Sequence, residues 1–296
     1  MGNTLNWIIL LVFASLSLSA QQDLAIGTWK SYLPYKFGWS VTQSPEAVYY
    51  GTQWAVMKVN KDDLSLEYFS KVDGLSDVEV RFVEYYPDQE VLVVIYDNSN
   101  IDLIFSDQIV NLNQIKANTR IVEDRTIYDI YFKSPYAYLA TGFGLVQLNI
   151  EEEEFGFTSF SSRRVLSVNG SDEDLYLSTE DVLYRGRDDG SVNLCDFGAW
   201  KRIGFDDGLP EEQVGAKLET IDDKLYAGVN NALYRLKDDR FEFVHEEPGY
   251  TFQYATNTAD GILTGWKCEA GCADKKWLFA PSGTKTAVSS CARLTI

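Results

Sequence analysis

The sequence has little of several residue types, and each shortage argues against a class of protein. Its 296 residues include seven prolines, and 26 Lys and Arg stand against 44 Asp and Glu. So little proline argues against a disordered or collagen-like chain. The formal net charge of −18 argues against nucleic acid as a partner, because binding to phosphates requires clustered basic residues.

Long apolar runs are also lacking beyond the N-terminus. There, Trp7–Ala14 forms a short hydrophobic core that is followed by small residues through Ala20. Such a run is too short to span a bilayer comfortably and is typical of a secretory signal peptide, although Met1–Asn6 contains no Lys or Arg. We therefore predict a signal peptide at residues 1–20, export of the chain, and no transmembrane segment in the mature protein.

A single histidine restricts the catalytic mechanisms that the chain could use. Ser–His or Cys–His catalysis requires a histidine next to the nucleophile, and His245 stands in a strand-like alternation where a surface residue is expected. No glycine-rich loop precedes a helix, and the acidic clusters at 172–174 and 188–189 lack the spacing of a calcium loop. We predict no catalytic residue, no cofactor and no metal site.

The four cysteines fit an oxidising compartment. Cys195 stands alone, whereas Cys268, Cys272 and Cys291 lie close together near the C-terminus. A zinc site would need a fourth ligand, and the spacing to the only histidine matches no standard zinc pattern. We predict a disulfide between two of the last three cysteines, with the connectivity left open.

What the sequence does contain is a repeated strand–turn–strand unit. Its clearest copy is Tyr138–Asn149, with Gly142 and Gly144 in the turn. Further copies begin at Tyr49, Val93, Tyr176 and Tyr226, and a degenerate one begins at Ile262. The interval of roughly 36 to 50 residues is that of four-stranded propeller blades. The repeat predicts an all-β propeller.

We assign residues 21–296 to one β-propeller domain. The run Val91–Tyr96 is continuously apolar, as expected for a strand that is buried on both faces between blades. An isolated strand at Ala25–Pro34 is predicted to complete the last blade, and Asn169-Gly170 to form a turn. Six visible repeats suit either a six-bladed ring or an incomplete seven-bladed one.

Two aromatic residues occupy equivalent turn positions of the repeat. Trp54 and Phe143 could present rings on which a sugar stacks, or they could pack between blades. Both interpretations stay open at this point. They are the candidate ligand-face residues of the sequence.

Several short segments of the sequence resemble segments of known protein families. Asp73-Gly-Leu-Ser-Asp-Val78 before a strand, together with Tyr138–Leu145, resembles the propeller repeat of two-component regulators. Gly27–Tyr35, Phe69–Asp77 and Asp97–Ile104 are similar to the N-terminal propeller of the PorZ family of type IX secretion proteins, and so is Gly265-Trp-Lys-Cys268 with Cys272. Family members carry a second propeller and a C-terminal signal domain, which this sequence lacks, so the domain is expected to be the first propeller of a longer pattern.

This resemblance implies a function. Members of the family sit on the cell surface with a gingipain-like sortase and help it to attach anionic lipopolysaccharide to secreted cargo. We therefore expect a non-enzymatic protein-interaction scaffold in the periplasm or on the outer-membrane surface of a Bacteroidetes-type bacterium. The alternatives are a glycan-binding propeller and a ligand-sensing propeller of the two-component-regulator type.

Overall fold

The computed structural model describes residues 33–171, 173–258, 261–268, 275–281 and 288–289. The backbone separates into two units, Met1–Pro34 and Tyr35–Ile296, and every described strand belongs to the second. The predicted signal peptide lies outside the described residues, as does the predicted strand at 25–34 apart from its last two residues.

The described chain forms six four-stranded antiparallel sheets, which are the blades of a propeller. In each sheet consecutive strands are neighbours. The strands, four per blade in chain order, are β1 (Gly38–Gln43), β2 (Ala47–Thr52), β3 (Ala55–Asn60) and β4 (Leu66–Ser70); β5 (Val80–Tyr86), β6 (Val91–Tyr96), β7 (Ile101–Ile104) and β8 (Ile109–Leu112); β9 (Ile127–Lys133), β10 (Tyr136–Thr141), β11 (Gly144–Asn149) and β12 (Glu154–Phe160); β13 (Val165–Gly170), β14 (Asp174–Thr179), β15 (Leu183–Arg187) and β16 (Lys201–Ile203); β17 (Lys217–Ile221), β18 (Lys224–Val229), β19 (Ala232–Lys237) and β20 (Arg240–Glu246); β21 (Tyr250–Thr258), β22 (Gly261–Cys268), β23 (Lys275–Pro281) and β24 (Val288–Ser289).

The repeat seen in the sequence is the pair formed by the second and third strands of each blade. Its clearest copy becomes β10 and β11, which pair from Tyr136 with Asn149 to Thr141 with Gly144. The only described α-helix, α1 (Gln114–Ala117), follows β8, and 3-10 turns lie at Lys71–Asp73, Pro87–Gln89, Phe197–Ala199 and Phe205–Asp207. The prediction of four-stranded propeller blades is confirmed.

The hydrophobic core lies between blades. All six residues of β6 are buried, as its continuous apolar sequence predicted. Val91, Val93 and Ile95 pack with blade 3, whereas the alternate side chains of the strand pack with blade 1. Successive side chains of a strand point to opposite faces of the sheet. A blade that lies between two others, such as blade 2, therefore contributes to two separate hydrophobic clusters.

The inner strands of neighbouring blades run parallel and are joined by side-chain hydrogen bonds. The Ser40 hydroxyl accepts from the Val83 N–H at 2.9 Å, and the Thr42 hydroxyl accepts from the Tyr85 N–H at 3.1 Å. The Ser167 hydroxyl accepts from the Leu218 N–H at 3.1 Å. These polar contacts replace the sheet hydrogen bonds that strands of different blades do not share.

Two blade connections repeat one turn, which the sequence shows as Asp-Gly-Leu. The Asp73 carboxylate accepts from the Ser70 N–H, and Asp207 accepts from the Gly204 N–H, each at 3.1 Å. The glycine that follows has a φ of +115° at position 74 and +92° at position 208, a conformation that favours glycine. The next residue in each turn is a buried leucine.

The predicted turn at Asn169-Gly170 is wrong. Both residues end strand β13, and the chain turns one residue later. The Asn169 side chain instead accepts a hydrogen bond of 2.5 Å from the Thr220 hydroxyl of blade 5. Turn propensity considers only residues that are neighbours in the sequence, so it does not include this contact between blades, which decides the conformation of Asn169.

Candidate interaction face

Exposed apolar side chains concentrate at one edge of the blades. In a four-stranded meander, the connection between blades and the turn between the second and third strands emerge at the same edge. We call this edge of the six blades the loop face. Its exposed large apolar residues are Phe37, Trp39, Trp54, Val72, Val122, Phe160, Phe205 and Val214. Patches of this kind mark interaction sites when they are extensive.

A pocket of about 420 Å³ opens where the inner strands of blades 1, 2 and 3 begin. Trp39, Arg81 and Tyr128 each occupy the second position of their inner strand. The Arg81 guanidinium lies 5.3 Å from the centre of the Tyr128 ring and forms a 3.1 Å ion pair with Asp97. The pocket therefore presents aromatic faces beside a cationic group.

The indole of Trp39 is held in place although it is 56% exposed. Its Nε1–H donates to the carbonyls of Val80 at 3.1 Å and Arg81 at 2.8 Å. The ring is thus fixed by blade 2 while its face remains open to a ligand. The repeat pattern carries a signal for this site, since all three residues share one strand position, but the sequence predicted none of them.

Trp54 and Phe143, the predicted ligand-face residues, lie in corresponding turns of blades 1 and 3. Trp54 is 37% exposed, whereas Phe143 is 2% exposed and packs in the cluster between blades 2 and 3. Phe143 forms the floor of a groove that Trp54 does not line. The two rings do not meet in one site, and a ligand-contacting role for either stays a prediction.

Three carboxylates gather between the inner strands. Glu84, Asp129 and Glu219 belong to blades 2, 3 and 5, and each retains some water-accessible surface. Asp129 accepts hydrogen bonds from the Ser167 hydroxyl at 2.6 Å and the Val168 N–H at 3.1 Å. Glu84 accepts a long 3.4 Å bond from the Thr42 hydroxyl. Since blades 2 and 5 are not neighbours, Glu84 and Glu219 interact across the middle of the propeller.

Burial raises the pKa of each of these carboxyls, and repulsion by neighbouring carboxylates adds to the rise for Glu84 and Glu219. Burial, followed by the negative charge of Asp129, raises the pKa of Glu84 to about 7. The pKa of Glu219 rises to about 8, through burial and the charges of Asp129 and Glu84, although Lys217 opposes the change. Burial also raises the pKa of Asp129. Glu84 and Glu219 therefore exchange protons near neutral pH, and no sequence motif marks any of the three carboxyls.

The described residues contain no catalytic assembly around His245. This ring packs edge-on against Trp266 at 5.8 Å, and its Nε2 lies 3.4 Å from a carboxylate oxygen of Glu247. The acidic residues of the cluster at 188–189 are paired with bases: Asp188 with Lys133, and Asp189 with Arg187. Among the described residues, no group of three or more His, Cys, Asp or Glu is arranged to hold a metal ion.

Two of the four cysteines can be placed. Cys195 is exposed and free, and Cys268 at the end of β22 is disulfide-bonded. Cys272 and Cys291 lie outside the described residues, so the predicted connectivity stays a prediction. Within the part of the chain that the structure describes, no helix has the length and apolar character needed to cross a membrane.

Solved structures share this fold. PorZ of Porphyromonas gingivalis, an essential surface component of the type IX secretion system, superposes with a TM-score of 0.73 at 21% identity, over 90% of this chain and 34% of PorZ. This chain therefore spans about a third of that protein. The extracellular domain of a putative hybrid two-component system of B. thetaiotaomicron gives a TM-score of 0.50 at 9% identity, over 84% of this chain and 40% of that one.

A structure of the dihydro-heme d1 dehydrogenase NirN also superposes, with a TM-score of 0.53 at 12% identity over 84% of this chain and 56% of that one. A propeller can thus belong to an enzyme or to a secretion component, and at these identities the likeness shows the fold alone. No curated protein sequence was significantly similar to the chain. The family model of the type IX secretion PorZ N-terminal β-propeller domain, however, matches residues 48–201, just over half of the sequence. The chain belongs to the family of the PorZ N-terminal β-propeller domain.

Proposed function

We propose that the chain is a non-enzymatic scaffold of type IX secretion that binds protein partners through its loop face. The observation that carries this proposal is the concentration of exposed apolar residues on that face, with Val122 and Phe205 among the most exposed. Family membership supplies the secretion context. A propeller can present such a face as a binding surface.

The partner that we propose is a gingipain-like sortase, which the scaffold would assist in attaching anionic lipopolysaccharide to cargo. The location would be the periplasm or the outer-membrane surface of a Bacteroidetes-type bacterium, after removal of a signal peptide at residues 1–20. Residues 21–296 would then correspond to the first propeller of a longer family pattern. The surface location of PorZ supports this placement.

Binding of the mature chain to the purified sortase tests the proposal. We expect the double variant Val122→Ser, Phe205→Ser to weaken binding at least about tenfold, because both side chains would lose apolar contact area. The control is Leu64→Asn, in the turn between β3 and β4 at the opposite edge; Leu64 is also exposed, and its positive φ suits asparagine. Equal losses from both changes would overturn the loop-face assignment.

A second candidate function is binding of an anionic sugar in the pocket of Trp39, Arg81 and Tyr128. The fixed, open indole suits stacking on a sugar ring, and the guanidinium suits a negative substituent. In a titration with anionic lipopolysaccharide, Arg81→Gln should weaken binding while leaving sortase binding unchanged. The alternative of a ligand-sensing propeller stays a prediction.

A further inference from the structure

A groove of about 380 Å³ lies between the outer parts of blades 2 and 3. It forms because β8 has only four residues, after which the chain turns into α1 instead of extending the sheet. Ile115, Phe143 and Phe155 give the groove an apolar floor, and polar side chains of α1 and β12 form its rim.

One wall of the groove is positioned by an ion pair between the exposed Lys116 and the largely buried Asp77. Lys116 of α1 pairs with Asp77, which also accepts a 2.6 Å hydrogen bond from the side chain of Asn98. The carbonyl of Lys116 in turn accepts from the Arg125 guanidinium at 2.7 Å. The wall is thus tied to both connections that flank blade 2, and the groove is preformed.

The opposite wall is an unprotected edge strand. β12 is hydrogen-bonded only to β11, so its outer edge carries backbone groups without a sheet partner. Edge strands are usually guarded by charged residues or proline. After its first residue, Glu154, β12 contains neither, whereas β4 and β20, the other described outer strands of five or more residues, carry a charge in their interior, at Glu67 and Glu242. Phe160, 60% exposed, tilts over Phe143 at 5.9 Å at the end of the groove.

The other end of the groove is strongly acidic. The four consecutive glutamates Glu151–Glu154 lead into β12. Glu151 accepts a 2.8 Å hydrogen bond from the Gln89 side chain, and no ion pair to any of the four is found among the described residues. An occupant that follows β12 therefore meets negative charge at one end and aromatic surface at the other.

We propose that this groove and the edge of β12 bind an extended basic–aromatic peptide segment of a partner protein. The segment adds as a fifth strand beside β12, and its backbone forms the hydrogen bonds that the edge leaves unmade. Alternate apolar side chains enter the groove, and a Lys or Arg faces Glu151–Glu154. The site shares Phe160 with the loop face, but it includes neither Val122 nor Phe205, the residues whose variants test the proposed sortase contact.

A second copy of the chain is a poorer occupant. Two copies would each bring a net charge of −18. An antiparallel pair of β12 strands would set the glutamates of one copy near Arg163 and Arg164 of the other, but these arginines are already paired with Asp181 and Glu180. The charge pattern favours a basic partner.

The probe is a synthetic twelve-residue peptide that alternates Phe or Val with Thr and ends in two lysines. We expect it to bind in the micromolar range and to slow hydrogen exchange at the amides of 154–160. A matched peptide with glutamate in place of lysine should bind at least about tenfold more weakly, and so should the Lys peptide to the chain variant Glu152→Gln, Glu154→Gln.

The chain variant Phe160→Lys places a guarding charge on the edge and should abolish binding. Its control is Phe243→Lys, which changes a similarly exposed phenylalanine, 59% exposed, on the outer strand β20. Unchanged thermal unfolding would show that both variants fold. Equal effects of the two changes, or no protection at 154–160, would overturn the proposal. So would a dimer of the chain that Phe160→Lys dissociates, since the second copy would then be the occupant.

Discussion

The Asp129 carboxylate on β9 accepts a 2.6 Å hydrogen bond from the Ser167 hydroxyl on β13. An acidic group of blade 3 is thereby part of the contact between blades 3 and 4. The same hydroxyl accepts from the backbone of blade 5, at Leu218. Because Asp129 also raises the pKa of both Glu84 and Glu219, the protonation of these two carboxyls is coupled to the packing of several blades.

We predict that the free energy of unfolding falls as the pH rises from about 4.5 to about 8. In the folded chain Glu84 and Glu219 keep their protons up to pKa values of about 7 and about 8, above the ordinary value of 4.5. The folded state thus binds more protons than the unfolded state in this window, so raising the pH favours unfolding. Thermal unfolding measured across the window checks the prediction; a midpoint that rises with pH would contradict it.

The variant Glu219→Gln should stabilise the propeller at alkaline pH only. The amide removes a charge that is repelled by Asp129 and Glu84, and one unit of pKa corresponds to about 1.4 kcal/mol. We expect the unfolding midpoint to rise by about 5 °C near pH 8 and by about 1 °C or less near pH 5. Glu152→Gln, in the exposed turn before β12, is the control and should show no such pH dependence.

We predict that Gly208→Ala destabilises the chain by about 3 kcal/mol. A Cβ at this position would lie 2.1 Å from the carbonyl oxygen of Phe241, and the residue has a φ of +92°. Gly190→Ala separates the two causes, because Gly190 has a φ of +79° with nothing within 4 Å of its Cβ position. The control should lose only about 1 kcal/mol in chemical denaturation. Equal losses of stability in the two variants would contradict the prediction, because they would show that the Phe241 carbonyl moves away from the new Cβ at little cost.

Replacing the buried carboxylate of Asp102 with the amide of asparagine should lower the free energy of unfolding. Its carboxylate accepts hydrogen bonds from the Tyr96 hydroxyl at 2.6 Å, the Ser76 N–H at 2.8 Å and the Asn111 side chain at 2.8 Å. In Asp102→Asn, one acceptor becomes a donor that faces another donor, which we expect to cost about 2 to 4 kcal/mol. Denaturant unfolding measures the loss. Asp107→Asn on the exposed β7–β8 turn is the matched change, and a similar loss there would refute the explanation.

Thiol chemistry should distinguish the described cysteines. Cys195 is exposed and free, so it should react with a maleimide in the native protein. The peptide that contains Cys268 should remain unlabelled until the protein is reduced, because this cysteine is disulfide-bonded. Peptide mass spectrometry reads both sites, and Cys195→Ser provides the blank. Labelling of Cys268 without reductant would be the contrary result.

The sequence predicted the blades because the repeat is local. A strand–turn–strand unit needs only its own alternation and turn residues, and the six copies became the central hairpins of the six sheets. Even the double-sided burial of β6 could be inferred from its unbroken apolar run. Asn169 shows the limit: its partner, Thr220, is 51 residues away, and a distant partner decided its conformation.

The candidate sites were largely invisible in the sequence for the same reason. Glu84, Asp129 and Glu219 are three carboxylates among forty-four acidic residues until the blades bring them together. The pocket at Trp39 combines one residue from each of three blades. Phe143 was predicted as a ligand-face residue because of its position in a turn. Its surroundings are instead determined by the short strand β8 and by helix α1, which form the groove that Phe143 lines.

Because the hydrophobic clusters are built from side chains of two neighbouring blades, no blade has a hydrophobic core of its own. Val93 of β6 depends on blade 3, and its neighbour Val94 depends on blade 1. Cooperativity in such an array passes from neighbour to neighbour, as in a row of coupled units, and not through one central mass. A ligand that clamps β12 would therefore stiffen blade 2 through the floor of the groove, and its effect would weaken with each blade further along the row.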